Sequence, residues 1–229
     1  MTVSGAGRTD AGVHACGQVA AFTIARELGP DAIVRALNAH LPHAVRVIAA
    51  EAAPAGFHPR FGARAKTYRY RMWNDEVMSP FDRGYAWHIP GALDVDAMAA
   101  AARPLVGRHD FASYCKPREG ATTIRELQAF TWERDADGVL VARLQADAFC
   151  RSMVRALVGA CVAIGGGKLT ATRAVELRES VRRSSEFVVM PAKGLTLTEV
   201  GYPPDAELAS RAEQTRARRT GLPESQGID

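Results

Sequence analysis

Asp10 has the neighbours a reactive carboxylate needs. It stands in Gly5-Ala6-Gly7-Arg8-Thr9-Asp10-Ala11-Gly12, where three glycines surround one carboxylate and one guanidinium two residues apart. Glycines let a loop turn sharply and bring its backbone close to a ligand. An Asp held there and kept ionised can act as a nucleophile or a general base, and a nearby guanidinium favours the ionised form. Arg155 is the candidate partner. It lies in Met153-Val154-Arg155-Ala156-Leu157-Val158, otherwise apolar from Val154 on, where a buried charge needs an opposite one. The alternative is that its long stem carries the charge out to solvent at the helix edge.

Two glycine-rich stretches are excluded as nucleotide sites. Gly5-x-Gly7 starts like a dinucleotide fingerprint, but the third glycine would fall at Asp10, whose charge would repel a pyrophosphate. Gly165-Gly166-Gly167-Lys168 is followed by Leu169 where a phosphate loop needs Ser or Thr. It reads as the end of a helix.

The chain has 229 residues, 47% of them hydrophobic and 24% charged, the composition of a globular protein with a sizeable core. It has no apolar window long enough to span a membrane and no secretory signal at its start, so a cytoplasmic location is expected. Cys16, Cys115, Cys150 and Cys161 are scattered without metal-ligand spacing, so free, mostly buried thiols are expected and no metal. The net charge is +4, and from Arg60 to Arg71 five cations without an acid alternate with Phe61, Tyr68 and Tyr70. That pattern suits phosphates and bases, and equally a solvated strand edge. Arg216, Arg218 and Arg219 lie in a polar tail and read as a disordered or frayed helix end.

The elements that must position these groups follow from periodicity. Strands are predicted at Gln18 to Ile24, Val45 to Glu51, Lys66 to Trp73 and Leu195 to Val200. Leu127 to Arg134 and Val139 to Gln145 flank a hairpin turn at Asp135-Ala136-Asp137-Gly138. Helices are predicted at Pro30 to Leu41, Asp94 to Leu105 with Asp94 as N-cap, Ala148 to Ile164 and Ala171 to Arg182. His109 to Cys115 reads as a loop or short edge. Alternation puts Tyr68 and Tyr70 on one sheet face and Arg69 on the other. Mixed helices and hairpins make the fold class α+β.

Several segments together resemble the tRNA pseudouridine synthase A family. The run from Gly5 to Val19 is similar to its catalytic motif around Arg-Thr-Asp. Phe57-His58-Pro59-Arg60-Phe61, Lys66-Thr67-Tyr68-Arg69-Tyr70 and Gly107-Arg108-His109-Asp110-Phe111-Ala112-Ser113 resemble further family segments. So do Ala148-Phe149 with Met153-Val154-Arg155 and Val158-Gly159, and Pro191-Ala192-x-Gly194-Leu195. The likeness spans roughly residues 3 to 203.

The resemblance implies a pseudouridine synthase fold of two lobes, with mixed, mainly antiparallel sheets flanked by helices. Residues 1–60 would hold the aspartate loop, 61–203 would complete the site, and 204–229 would form a polar tail. It implies isomerisation of uridine to pseudouridine at tRNA positions 38, 39 and 40, in the anticodon stem-loop, by a homodimer without cofactor or metal. Asp10 would be the essential nucleophile, Tyr68 would stack on the base and assist loss of the C5 proton, and Arg155 would pair with Asp10. Arg8, Thr9, His14, Arg60, Lys66 and Leu195 would bind substrate, with Leu195 lining the uracil pocket and Arg64 and Arg69 as further candidates for phosphates. His58 and His109 would shape loops or face RNA.

Two departures accompany the likeness. The family carries about one strand and one helix before the Asp loop, so a bare sheet edge is expected, and an inactive tRNA-binding remnant is the alternative function. Arg151-Ser152 replaces a frequent His-His, which implies altered RNA contacts and unchanged chemistry. A small-molecule lyase or hydrolase using Asp10 and Arg155 is the other rival, and it would show little salt sensitivity.

Overall fold

A computed structural model describes residues 2–216. Its centre is a seven-stranded sheet built on β4 (Ala65–Trp73), whose alternation buries Lys66, Tyr68, Tyr70 and Met72 on one face. Two strands flank β4 antiparallel, β8 (Leu140–Ala146) and β9 (Leu195–Gly201). The order is β2 (His14–Ala15), β9, β4, β8, β7 (Ile124–Arg134) and β6 (Gly107–Asp110), with β5 (Trp87–His88) paired parallel to the end of β4. The β2–β9 pair is also parallel; the other ladders are antiparallel, so the architecture is α+β as expected. A separate two-stranded ladder joins β1 (Ser4–Gly5) to β3 (Ala20–Ala21).

Helices α2 (Val95–Ala102) and α3 (Met153–Gly165) pack together, and one continuous core joins Met98 and Leu157 to Tyr70, Leu127 and Leu144 of the sheet. Each fully buried Leu there stabilises the fold by roughly 1.5–3 kcal/mol. Asp94 caps α2 as expected, its carboxylate accepting from Ala97 N–H at 2.9 Å. At the end of α3 the glycine run is a C-cap. Gly167 has φ +71°, and Lys168 N–H bonds back to Ala163 O at 2.8 Å. The hairpin turn is also as read, with Asp135 accepting from the N–H groups of Asp137 and Val139.

Three expectations are corrected. Residues 45–51 are not a strand: among the described residues no neighbouring strand offers a ladder, and Ile48 stays exposed. The Asn38 side chain substitutes locally, donating to Val47 O and accepting from Val47 N–H, both at 2.8 Å. Asn38 belongs to α1 (Pro30–His40), which has no buried residue. The strand expected over 18–24 shrinks to the two residues that pair with β1. The helix expected from Ala148 begins at Met153, because Ser152 takes left-handed φ, +66°, residues 148–150 are irregular, and Arg151-Ser152 form a turn closed by Met153 N–H to Cys150 O.

The other helices are shorter than their patterns. α4 covers Arg173–Glu179, and a 3-10 turn over Arg103–Leu105 finishes the segment after α2. The tail begins as a helix, α5 (Leu208–Arg216), with Leu208 and Ala212 buried and Arg216 over the Phe61 ring. Arg218 and Arg219 lie outside the described residues.

The cysteine expectation is also corrected. Cys115 and Cys150 form a disulfide, with Cα atoms 5.8 Å apart, within the usual bridging range. Cys16 is exposed and Cys161 is buried, both as free thiols.

Candidate active site

The glycine loop is fixed at its start, its middle and its end. Ala6 N–H bonds Val19 O, and the Gln18 amide clasps Gly7, accepting from its N–H at 3.1 Å and donating to its carbonyl at 3.0 Å. Val13 N–H closes a turn onto Asp10 O, with Gly12 at φ +82°. Beyond it β2 pairs with β9, and the N–H groups of Cys16 and Gly17 both reach Leu197 O. Gly7 packs closely on β9 and β4: a Cβ there would lie 2.8 Å from Leu197 Cδ2 and 3.2 Å from Tyr68 Oη, so a larger residue would displace those side chains. The aspartate loop is therefore seated on β9, next to the β4 strand that carries Tyr68.

The result is a cavity of about 550 Å³. Asp10, Tyr68 and Arg155 all line it, as do Arg8, Arg60, Lys66 and Leu195. These residues come from the glycine loop, the loop before β4, β4 itself, the first turn of α3 and the start of β9. Sequence positions nearly 190 residues apart, Arg8 and Leu195, thus share one wall.

Tyr68 is buried, its hydroxyl donates to Arg8 O at 3.5 Å, and Phe149 meets its ring edge-on at 5.3 Å between centroids. Burial first, and the nearby Asp10 carboxylate second, push its pKa up to about 12. Arg155 is not ion-paired with Asp10, contrary to the sequence expectation. Its Nε–H bonds to Met190 O instead, and its charge lies close enough to Tyr70 to favour that residue's phenolate, although burial wins and raises the Tyr70 pKa. The Tyr70 hydroxyl donates to Pro191 O at 2.8 Å, so segment 190–191 is held from both sides.

Two sequence candidates lie elsewhere. His14 is not in the cavity wall: its Nε2 lies 2.9 Å from Gly84 O and its ring packs on Tyr85. Thr9 is exposed and also lies outside the wall. Of the basic stretch, Arg60 and Lys66 reach the cavity. Arg71 is taken up in ion pairs with Asp82 at 2.8 Å and Asp135 at 3.6 Å, and Arg64 approaches Glu207 at 3.8 Å.

Arg60 owes its place to His58. The His58 Nδ1 accepts from the N–H groups of Arg60 and Phe61, both at 3.1 Å, which requires the ring neutral. Burial, with Arg216 next, lowers the His58 pKa and keeps it so. His109 lies 3.2 Å by Nε2 from Val106 O, again within its own loop.

The structure adds Arg118, a wall residue that sequence reasoning did not single out, and places Phe149 and Arg151, quoted there only within family segments, in the same wall. Reading 148–152 as helix did not place Phe149 and Arg151 at the cavity. Arg118 stands in the 116–123 connection, with no local pattern to mark it. Among the described residues no group of His, Cys, Asp and Glu could hold a metal ion, and no helix is long and apolar enough to cross a membrane.

A carboxylate, a tyrosine and a surplus of guanidiniums around one cavity suit attack on an anionic substrate. Comparison with known proteins narrows that chemistry. The family described as tRNA pseudouridine synthase matches residues 1–62 and 101–203. A tRNA pseudouridine synthase A of Leifsonia xyli is 53% identical over 94% of this chain and 81% of its own length. Those of Frankia casuarinae and Streptomyces griseus are 49% and 50% identical, each covering 78% of its own length and 93% or 94% of this chain. With the motif segments, the extent of these matches and the cavity all in agreement, the chain belongs to the tRNA pseudouridine synthase family.

Proposed function

We propose that the chain isomerises uridine to pseudouridine at positions 38, 39 and 40 of the tRNA anticodon stem-loop, with Asp10 as the nucleophile. The observation that carries this is the meeting of Asp10, Tyr68, Arg155 and Leu195 in one cavity. A stem base cannot be reached inside the stack, so it is flipped out, and a cavity of about 550 Å³ is roomy enough for a nucleotide. In this reading residues 1–60 supply the nucleophile and 61–203 complete the site.

The Asp10 carboxylate attacks C1′ of the ribose, and the N1–C1′ bond breaks with its electron pair leaving on uracil. The ring turns within the cavity. C5 then attacks C1′ and displaces the carboxylate, C5 loses its proton, and N1 takes one up, so the product is an isomer. Tyr68, with a pKa of about 12, is a neutral phenol at neutral pH. Its part is to stack and to donate a hydrogen bond, and proton removal from C5 passes to Asp10 or water. Arg155, tied to Met190 O, orients the wall facing the base, and Leu195 packs against it.

A homodimer on the tRNA is part of this proposal, supported by exposed Val77, Phe81 and Tyr85 on one connection, Phe81 at 91% exposure. A cytoplasmic location, where tRNA is met, belongs to the same proposal.

The test is release of tritium from tRNA labelled at uridine C5, with mass spectrometry locating the product. Release that vanishes in Asp10→Ala, with product at positions 38 to 40, is expected. Binding of tRNA without release by the unaltered chain would favour the inactive remnant, and sedimentation of a monomer would remove the homodimer.

A further inference from the structure

Six cations, Arg8, Arg60, Lys66, Arg118, Arg151 and Arg155, line the cavity against the single carboxylate of Asp10. Three of them form a group of their own. Arg60 has its charged form disfavoured by burial, then by Arg8 and then by Arg118, and no carboxylate offsets these. Among the described residues none of the three takes part in an ion pair. Three exposed guanidiniums lining one cavity, with no carboxylate paired to them, suit an anion.

Each guanidinium is brought there by a separate rigid device. Arg8 rides on the loop clasped by Gln18, and Arg60 on the loop shaped by His58. Arg118 follows a segment pinned to the cavity wall. Cys115 is bridged to Cys150, Lys116 N–H bonds Arg151 O at 2.9 Å, and Ala121 N–H turns back to Arg118 O at 3.3 Å. A long side chain on an anchored backbone loses less freedom on binding.

We propose that Arg118, with Arg8 and Arg60, forms an anion subsite that holds a backbone phosphodiester adjoining the flipped nucleotide, making Arg118 a substrate-binding residue. The proposal rests on the RNA isomerase reading. When Asp10 reaches C1′, the phosphates esterified to that ribose are carried into the same cavity. The planar guanidinium grips two phosphate oxygens at once, which a lysine cannot reproduce.

The experiment measures tRNA binding over a salt series for the unaltered chain, Arg118→Ala and Arg118→Lys, alongside tritium release at saturating tRNA. Arg118→Ala is expected to weaken binding about tenfold at low salt. It should also flatten the slope of log affinity against log salt by about one phosphate contact. Arg118→Lys should recover the slope but only part of the affinity, a pattern that loss of folding would not give. Unchanged affinity and slope in both variants would overturn the subsite. Failure of the unaltered chain to release tritium would instead overturn the isomerase reading, so the two failures are distinct.

Discussion

The Asp10 carboxylate lies near enough to the Tyr68 phenol to oppose its ionisation, adding to burial in raising the pKa to about 12. Replacing the charge should therefore move the tyrosine. In Asp10→Asn the Tyr68 pKa is expected to fall, yet to stay above the ordinary value of about 10, because burial is the larger cause. Ultraviolet absorbance after a rapid jump to alkaline pH, recorded before unfolding and with Tyr68→Phe to assign the signal, reads this. An unmoved titration would mean that the loop does not hold Asp10 over the ring.

Alkali should unfold this protein through its buried phenols. Tyr70, Tyr114 and Tyr202, like Tyr68, have pKa values raised by burial, and their hydroxyls donate to the carbonyl oxygens of Pro191, Ala174 and Pro59. Below about pH 10 both folded and unfolded states keep these protons, and stability does not change. Above it the unfolded chain binds fewer protons than the native one, so stability falls as pH rises. The thermal midpoint should hold to about pH 9.5 and then drop steeply, and Tyr70→Phe should cost about 1 kcal/mol at neutral pH. A midpoint flat to pH 11 would contradict the burial of these groups.

Removing the His58 ring orphans two backbone N–H groups and loosens the loop that presents Arg60. His58→Ala should raise KM for tRNA roughly fivefold with kcat nearly unchanged, the loss being one of positioning worth about 1 kcal/mol. Steady-state kinetics at fixed salt measures the split. A fall in kcat at constant KM would place His58 in the chemistry instead.

Thiol counting tests the bridge. Denatured without reductant, the chain should show two reactive thiols, Cys16 and Cys161, and four after reduction. Cys115→Ser should lower stability by roughly 2–4 kcal/mol in denaturant titration, as expected for loss of a crosslink. Four thiols before reduction would remove the bridge, and with it one anchor of the Arg118 segment.

The local features of this chain were legible in its residues. Alternation marked β4, Asp-Ala-Asp-Gly marked the hairpin, Asp94 marked a helix start, and the glycines marked a loop that presents Asp10, because each depends on backbone preferences within a few residues. The placement of Phe149 and Arg151 in the cavity wall was not legible, because one left-handed residue, Ser152, delays α3 by a turn and a half. Residues 45–51 have the composition of a strand, but a strand exists only with a partner. Other features were settled by tertiary structure alone. The β4–β9 register sets Tyr68 opposite Leu197, β2 lies beside β9, and residues 115 and 150 meet across 35 positions. These placements turn Arg155 to Met190 O and bring Arg118 to Arg60. Residue types and spacings carry dihedral preference and hydrophobic period. Which charges end up facing one another depends on sheet register and chain crossing, to which those short-range signals are blind.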